Sequence, residues 1–216
     1  MIPAADLIST LAATRVIAAL PTGGRPGRAV VVTEILVQEA LDVIAVPASE
    51  VAIIGEITPY LGGRALVGVH GVTTPEEVQA AVEAGAAFVL SPVANADVVA
   101  VAGDHDVAVF AGGLSPNELV SAWQLGPTGV LVHPADVLGT GYAGHTHAAV
   151  PDAPLVAGGT SPYAMGQWLA SGALAIVADT SLVSDTLVGG DLSQLRDRAR
   201  NYAAEARAAA TWTSRS

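Results

Sequence analysis

The chain has 216 residues, of which 51% are hydrophobic and 13% are charged, so it can bury one large core. Its formal net charge of −11 argues against nucleic acid or an anionic membrane as a partner. The absence of cysteine excludes disulfides, zinc–thiolate sites and thiol nucleophiles. All nine basic residues are arginines, and without lysine the chain has no side-chain amine that could form a Schiff base.

Eight short apolar runs alternate with longer segments of helical pattern. Most runs are nearly continuous in Val, Ile, Leu and Ala, which is typical of strands buried on both faces of a parallel sheet. Two helix starts, at Thr74-Pro75 and Ser115-Pro116, combine a hydroxyl residue, a proline and acids in the first turn. The pattern predicts an α/β fold, a (β/α)8 TIM barrel. The predicted strands cover residues 15–20, 43–47, 65–69, 87–90, 107–111, 129–133, 154–157 and 173–178.

This barrel is expected over residues 15–208, with an N-terminal segment over 1–14 and a tail over 209–216. No apolar run reaches the roughly 18 residues that a membrane-spanning helix needs. The first ten residues carry no basic region of the kind that opens a signal peptide. We therefore expect a cytoplasmic protein.

Active sites of such barrels lie at the C-terminal ends of the strands. His133 follows the sixth strand and is the best candidate for an acid–base group, since its ordinary pKa lies near neutrality. Asp179 and Glu50 are the predicted catalytic partners. The alternative is that His133 only caps a loop carbonyl. Substrate contacts are expected from Ser49, His70, Ser91, Gly158, Gly159, Thr180 and Arg25.

Some of these positions carry competing interpretations. Strict alternation along the third strand turns His70 away from the lumen, so it would reach the mouth only from the strand end. Backbone N–H groups at Gly158-Gly159 suit a phosphate or carboxylate, but a glycine pair also suits a tight turn. Asp179 would repel a dianion there, which favours a ligand without phosphate. Arg25 either binds a substrate carboxylate or is a solvated loop charge.

No resident cofactor is predicted, and a divalent metal is the alternative. His145 and His147 form a His-x-His pair in the loop after the sixth strand, with Asp152 nearby. Such a pair binds a metal when a further ligand joins it, but it is more often an unmetallated surface feature. We therefore assign no metal ligands.

Six segments stand in order along the chain: VGVHGVTTPEE at 67–77, AGAAFVLSP at 84–92, FAGGLSPNE at 110–118, HPA with GTGY over 133–142, AGGT at 157–160, and Gly190-Asp191. Together they resemble the motifs of the 2-keto-3-deoxy-6-phosphogluconate (KDPG) and 4-hydroxy-2-oxoglutarate aldolase family, in register from about residue 15 to 207. The resemblance implies a class I aldolase-like barrel and a homotrimer that binds a small molecule.

The departures from this family fall on the residues that would perform its chemistry. Without the lysine no iminium forms, and without the glutamate no carboxylate moves the protons. These departures exclude KDPG-type Schiff-base cleavage here. The family's lysine corresponds to Leu131, its glutamate to Ala45, its carboxylate-binding arginine to Ser49, its GAGTV threonine to Gly71, and its last phosphate motif to Ala178-Asp179-Thr180.

Three hypotheses remain open at this point. The first is a diverged enzyme of lyase, isomerase or decarboxylase type that applies His133 with Asp179 or Glu50 to a small carbonyl compound. The second is a non-catalytic pseudoenzyme kept for binding or assembly, which the apolar residues Leu131 and Ala45 favour. The third is a pocket for an apolar metabolite.

Overall fold

The computed structural model describes residues 3–137, 139 and 141–213. Eight parallel strands close into one barrel in chain order, with β8 paired to β1, and this confirms the predicted (β/α)8 barrel. The observed strand bounds differ from the predicted ones by at most two residues. The strands are β1 Val16–Ala19, β2 Val43–Pro47, β3 Leu66–His70, β4 Phe88–Ser91, β5 Ala108–Gly113, β6 Gly129–Val132, β7 Leu155–Gly158 and β8 Ala175–Ala178.

Helices surround the barrel and follow the predicted start signals. Thr74 and Ser115 each begin a capping box, in which their side-chain oxygen accepts from the backbone amide three residues later. The glutamate at that position, Glu77 or Glu118, accepts in return from the backbone amide of the cap residue. Among the described residues, no helix combines the length and hydropathy needed to cross a bilayer. The helices are α1 Ala4–Thr14, α2 Arg28–Gln38, α3 Ile53–Leu61, α4 Pro75–Glu83, α5 Ala96–Asp104, α6 Pro116–Gln124, α7 Tyr142–Ala149, α8 Pro162–Ala170, α9 Thr180–Val183 and α10 Leu192–Thr213, with a 3-10 turn at Ala48–Glu50.

Side-chain alternation along the strands produces two apolar layers. One lies between the sheet and the helices, and the other fills the lumen with residues such as Phe88, Phe110 and Leu131. Packing in the lumen is close: a Cβ added to Gly68 would lie 2.6 Å from ring atoms of Phe88. Gly68 therefore gives the Phe88 ring its space.

The segment before the first strand folds onto the base of the barrel as helix α1. Leu7 and Leu11 are fully buried and belong to the same apolar cluster as the inward residues Ile17 and Val43. Arg15 ends the helix in the left-handed region at φ 62° and donates from Nη1 to the Leu174 carbonyl 3.1 Å away. Helix α1 thus closes the end of the lumen opposite the strand C-termini.

Helix α10 packs against α8, α2 and α9 and extends through residues 209–213, which the sequence assigned to a tail. Arg196 and Arg200 of α10 both bind the Glu39 carboxylate at the end of α2. These arginines hold the pKa of Glu39 below its ordinary value, with the hydrogen bond from Arg196 as the largest cause. The last helix is therefore fixed against the outer face of the barrel.

Candidate active site at the C-terminal ends of the strands

A cavity of about 290 Å³ opens at the C-terminal ends of the strands. Its polar side chains are His70, His133 and Asp179, which sequence reasoning had named. Its apolar floor and walls come from Ala19, Leu90, Pro92, Leu131 and Val177. The cavity therefore combines a few ionisable groups with a largely apolar surface, as small-molecule sites do.

His70 faces this cavity because the inward positions of β3 are 66, 68 and 70. Its Nε2 lies 2.9 Å from the Leu20 carbonyl oxygen. A carbonyl only accepts, so the hydrogen bond places the proton on Nε2, and a neutral ring keeps its lone pair on Nδ1. Burial lowers the pKa of His70 and His133 lowers it further, against the opposing effects of the Leu20 bond and Asp179.

His133 stands at the cavity mouth directly after β6. A Cβ added to Gly158 would lie 2.9 Å from His133 Nδ1 and 3.3 Å from Leu131 Cδ1, so the glycine makes room for both side chains. The backbone N–H of His133 donates to Gly113, 3.1 Å away. Within the described parts of the chain its imidazole bonds to no loop carbonyl, so the capping alternative has no contact to support it.

The backbone amides after β7 are already engaged. Both Gly159 and Thr160 donate to the Val177 carbonyl, each across 3.1 Å. Gly159 has φ +81°, which fits the tight-turn interpretation of the glycine pair. Helix α8 begins two residues later at Pro162, where Ser161 caps the amide of Ala164. The turn therefore does not direct the Gly159 and Thr160 N–H groups at a ligand.

Asp179 caps the short helix α9 through Oδ1, and its Oδ2 faces the turn at Gly159. Its Oδ1 accepts at 3.4 Å from the Thr180 hydroxyl and at 3.5 Å from the Ser181 amide. A Cβ added to Gly159 would lie 3.5 Å from Asp179 Oδ2 and 3.9 Å from Asp136 Oδ1. Asp136 was missed in the sequence, although its place just after the sixth strand was the available signal.

Tyr202 of α10 is a second residue that sequence reasoning missed, and it joins the two turns around the cavity. Its hydroxyl donates to the Thr160 carbonyl at 2.7 Å and accepts from Ser181 Oγ at 2.6 Å. Burial raises the pKa of Tyr202 to about 12, so the phenol stays protonated and keeps both bonds. Helix α10 thereby fixes the turns that carry Gly159 and Asp179.

Five predicted site residues do not line the cavity. Glu50 Oε1 instead accepts from the Gly23 amide at 2.7 Å and ties down the loop after β1. The Ser91 side chain is buried and donates to Val93 at 2.8 Å, because Leu90 holds the inward position of β4. The others are Ser49 and Thr180, whose side chains are exposed, and Arg25, which lies beside Gly189 with Nη1 3.3 Å from the position of an added Cβ.

The His-x-His pair lies on helix α7 rather than in a loop. Residues two apart on a helix point to different sides, so His145 and His147 do not converge on one ion. The His147 ring packs against Gly172, where an added Cβ would lie 2.9 Å from Nε2. Within the residues that the structure describes, no group of three or more His, Asp or Glu could hold a metal ion.

The positions that correspond to the family's lysine and glutamate are both apolar and both inward. Leu131 is 4% exposed and forms part of the cavity floor, and Ala45 is fully buried in the same luminal cluster. At the turn after β7, the Asp179 carboxylate lies near Gly159, and the Gly159 and Thr160 amides are bound to Val177. The barrel is thus kept while the centre of its mouth differs from the motifs of the family.

The chain is similar to known aldolases in sequence and in fold. The 2-dehydro-3-deoxy-6-phosphogalactonate aldolase of Escherichia coli (strain K12) is 24% identical over 160 residues, which are 71% of this chain and 78% of the relative. A solved structure described as native KDPGal has a TM-score of 0.82 at 22% identity and covers 91% of this chain and 96% of its own.

The Zymomonas mobilis ZM4 KDPG aldolase, solved with 3-phosphoglycerate, has a TM-score of 0.78 at 21% identity and covers 92% of this chain and 95% of its own. At these identities the likeness to solved structures shows the fold. The aldolase family model described as KDPG and KHG aldolase matches residues 8–197, which is most of the chain. The chain therefore belongs to the KDPG and KHG aldolase family.

Proposed function

We propose that this protein is a diverged lyase- or isomerase-type enzyme that performs acid–base chemistry on a small, non-phosphorylated carbonyl compound. The observation that carries the proposal is the presence of His70, His133 and Asp179 in one cavity whose floor has Leu131 in place of an amine. In this mechanism no covalent bond forms between protein and substrate. Proton transfer by the two imidazoles provides the catalysis.

The two imidazoles take different roles. His70 is kept neutral by its lowered pKa, and its Nδ1 removes a proton from the carbon next to the carbonyl. His133 is more exposed and donates a proton to the carbonyl oxygen as the enol forms. Asp179 stabilises the positive charge that His70 gains in this step, which agrees with its raising effect on the pKa of His70.

Three features support a substrate without phosphate. The Gly159 and Thr160 amides are bound to Val177, and the Asp179 carboxylate stands beside them. No arginine side chain lines the cavity within the described part of the chain. A phosphate dianion beside Gly159 would therefore meet a carboxylate and would gain neither an arginine nor the Gly159 and Thr160 amides.

The test is proton–deuterium exchange, followed by NMR, at the carbon next to the carbonyl of hydroxyacetone and aminoacetone in D₂O. We expect the wild-type protein to accelerate exchange and His70→Gln or His133→Ala to slow it roughly 100-fold, at the lower end for general acid–base catalysis. Burial disfavours the His70 imidazolium, so protonation of this base should lower the rate only below about pH 6.5. Ser49→Ala is the control, since the Ser49 side chain is exposed outside the cavity.

The second candidate is a non-catalytic binding or assembly protein. The apolar side chains of Leu131 and Ala45 favour it, because a new reaction centre usually requires polar groups there. Wild-type protein that stays folded and accelerates exchange no more than His133→Ala would contradict the enzyme proposal and leave this candidate.

The proposal also includes the assembly and the location. The family resemblance supports a homotrimer, and sedimentation equilibrium is expected to give the mass of three chains. A monomer across the micromolar range would contradict that expectation. The acidic charge and the lack of a long apolar run support a cytoplasmic protein without nucleic-acid partners.

A further inference from the structure

Tyr202 connects helix α10, on the outside of the barrel, with the two turns beside the cavity. Its side chain is fully buried. The Thr160 carbonyl can only accept, so it takes the phenol proton at 2.7 Å, and the phenol oxygen accepts from Ser181 Oγ at 2.6 Å. A single hydroxyl thus joins the turn after β7 to the turn after β8.

Ser181 carries this connection to Asp179. The Ser181 amide donates to Asp179 Oδ1 across 3.5 Å, and the Leu182 amide donates to the Asp179 carbonyl at 3.0 Å. Helix α9 has only four residues, and a single helical turn is not stable by itself. One turn before Tyr202 on α10, Arg198 donates to the Leu182 carbonyl at 2.6 Å. Helix α10 therefore holds α9, and with it Asp179, at two points.

The Asp179 carboxylate acts on His70 through space. Both side chains line the cavity, and within the described residues no hydrogen bond joins them. Burial and His133 lower the pKa of His70, whereas the Leu20 bond and Asp179 raise it. Such a charge interaction depends on distance and on solvent access, so it weakens when the carboxylate moves towards water.

Few other ionisable groups face this pair. His133 lines the same cavity, and the exposed Asp136 lies on the far side of the turn at Gly159. Tyr202 stays protonated, because burial raises its pKa to about 12. Among the described residues that line the cavity, Asp179 carries the only negative charge. Its position therefore determines how far the cavity favours the protonated form of His70.

We propose that Tyr202 is a positioning residue for the base of the reaction: through Ser181 it holds the Asp179 carboxylate where it stabilises the charge that His70 gains. Tyr202 does not line the cavity, so it acts through Asp179 and not on the substrate. This inference rests on the proposed function, because it concerns the same base and the same carboxylate.

The test is an NMR titration of the His70 imidazole in Tyr202→Phe, with His70→Gln to assign the signal. Without the hydroxyl, Ser181 loses its partner and the Asp179 carboxylate gains access to water, so we expect the pKa of His70 to fall. Ser181→Ala breaks the same connection at an exposed position and should also lower it. Both variants should slow deuterium exchange.

Tyr142→Phe is the matched control. Tyr142 also donates from its hydroxyl to a backbone carbonyl, that of Leu114 at 2.6 Å, and it does not line the cavity. This variant should leave the pKa of His70 and the exchange rate unchanged. An equal fall in the pKa of His70 in Tyr142→Phe would show a general effect of lost packing and would overturn the positioning role.

A double-mutant cycle with Asp179→Asn tests the route. Asp179→Asn alone should lower the pKa of His70, and adding Tyr202→Phe should then lower it no further. A full additional fall in the double variant, or an unchanged or raised pKa in folded Tyr202→Phe and Ser181→Ala, would contradict the proposal.

The titration does not depend on turnover, so the two proposals fail separately. Wild-type protein that shows the coupling but does not accelerate exchange rejects the reaction and keeps the placement of Asp179 by Tyr202. Wild-type protein that accelerates exchange, with a pKa of His70 that Tyr202→Phe does not change, rejects the positioning role alone.

Discussion

Leu131→Lys is expected to form a Schiff base with hydroxyacetone that borohydride traps as a stable adduct on residue 131. Leu131 is 4% exposed in the apolar floor of the cavity, beside Leu90 and Val177. Burial there lowers the pKa of a lysine, so a larger share of the side chain is the nucleophilic free amine at neutral pH. Intact-protein mass spectrometry and peptide mapping measure the adduct and its position.

The same variant is expected to remain inactive in aldol cleavage. Ala45 supplies no carboxylate to move protons on the iminium, so the adduct should form without turnover. Leu131→Met, similar in volume and without an amine, is the control and should trap nothing. Wild-type protein that traps as much ketone as Leu131→Lys, or an adduct that maps away from residue 131, would show that the cavity floor does not present the new amine.

Leu11→Ala is expected to lower the free energy of unfolding by about 2–5 kcal/mol, the usual range for a fully buried leucine. Leu11 is completely buried where helix α1 closes the base of the lumen, and its cluster includes Ile17 and Val43. Its removal leaves space that the rigid strands cannot fill. Urea unfolding followed by circular dichroism measures the change.

Ser9→Ala is the matched control because Ser9 lies on the exposed side of the same helix. Its substitution is expected to change the free energy of unfolding by no more than about 0.5 kcal/mol. If Leu11→Ala and Ser9→Ala have equal effects, helix α1 does not contribute to the luminal core in solution. A change in the urea m-value would instead indicate a different unfolded or native ensemble.

The barrel could be predicted because the sequence signals for its strands and helices are local and recur in unit after unit. Buried parallel strands are continuous apolar runs, and the caps at Thr74 and Ser115 mark where the following helices begin. The segment before residue 15 showed no comparable signal. Its two luminal leucines, Leu7 and Leu11, have the four-residue spacing of many surface helices, so their burial depends on the position of the helix below the barrel.

Only part of the candidate site could be derived from the sequence. The strand-end rule selected His133 and Asp179, which line the cavity, but it also selected Glu50, whose carboxylate bonds to Gly23. Whether a side chain points inward or outward depends on strand register. Alternation read from the sequence turned His70 away from the lumen, whereas its side chain lines the cavity. Tyr202 could not have been selected, because its role arises from the packing of α10 against distant turns.

The pairing of β1 with β8 has a consequence for how the polypeptide is made. Arg15 and Leu174, joined across that seam, are 159 residues apart. On the ribosome the first strand emerges long before its neighbour, so its edge has no permanent partner while most of the chain is being translated. Barrel closure is therefore a late event with a large loop-closure entropy, and refolding of the full chain should be slow and sensitive to protein concentration.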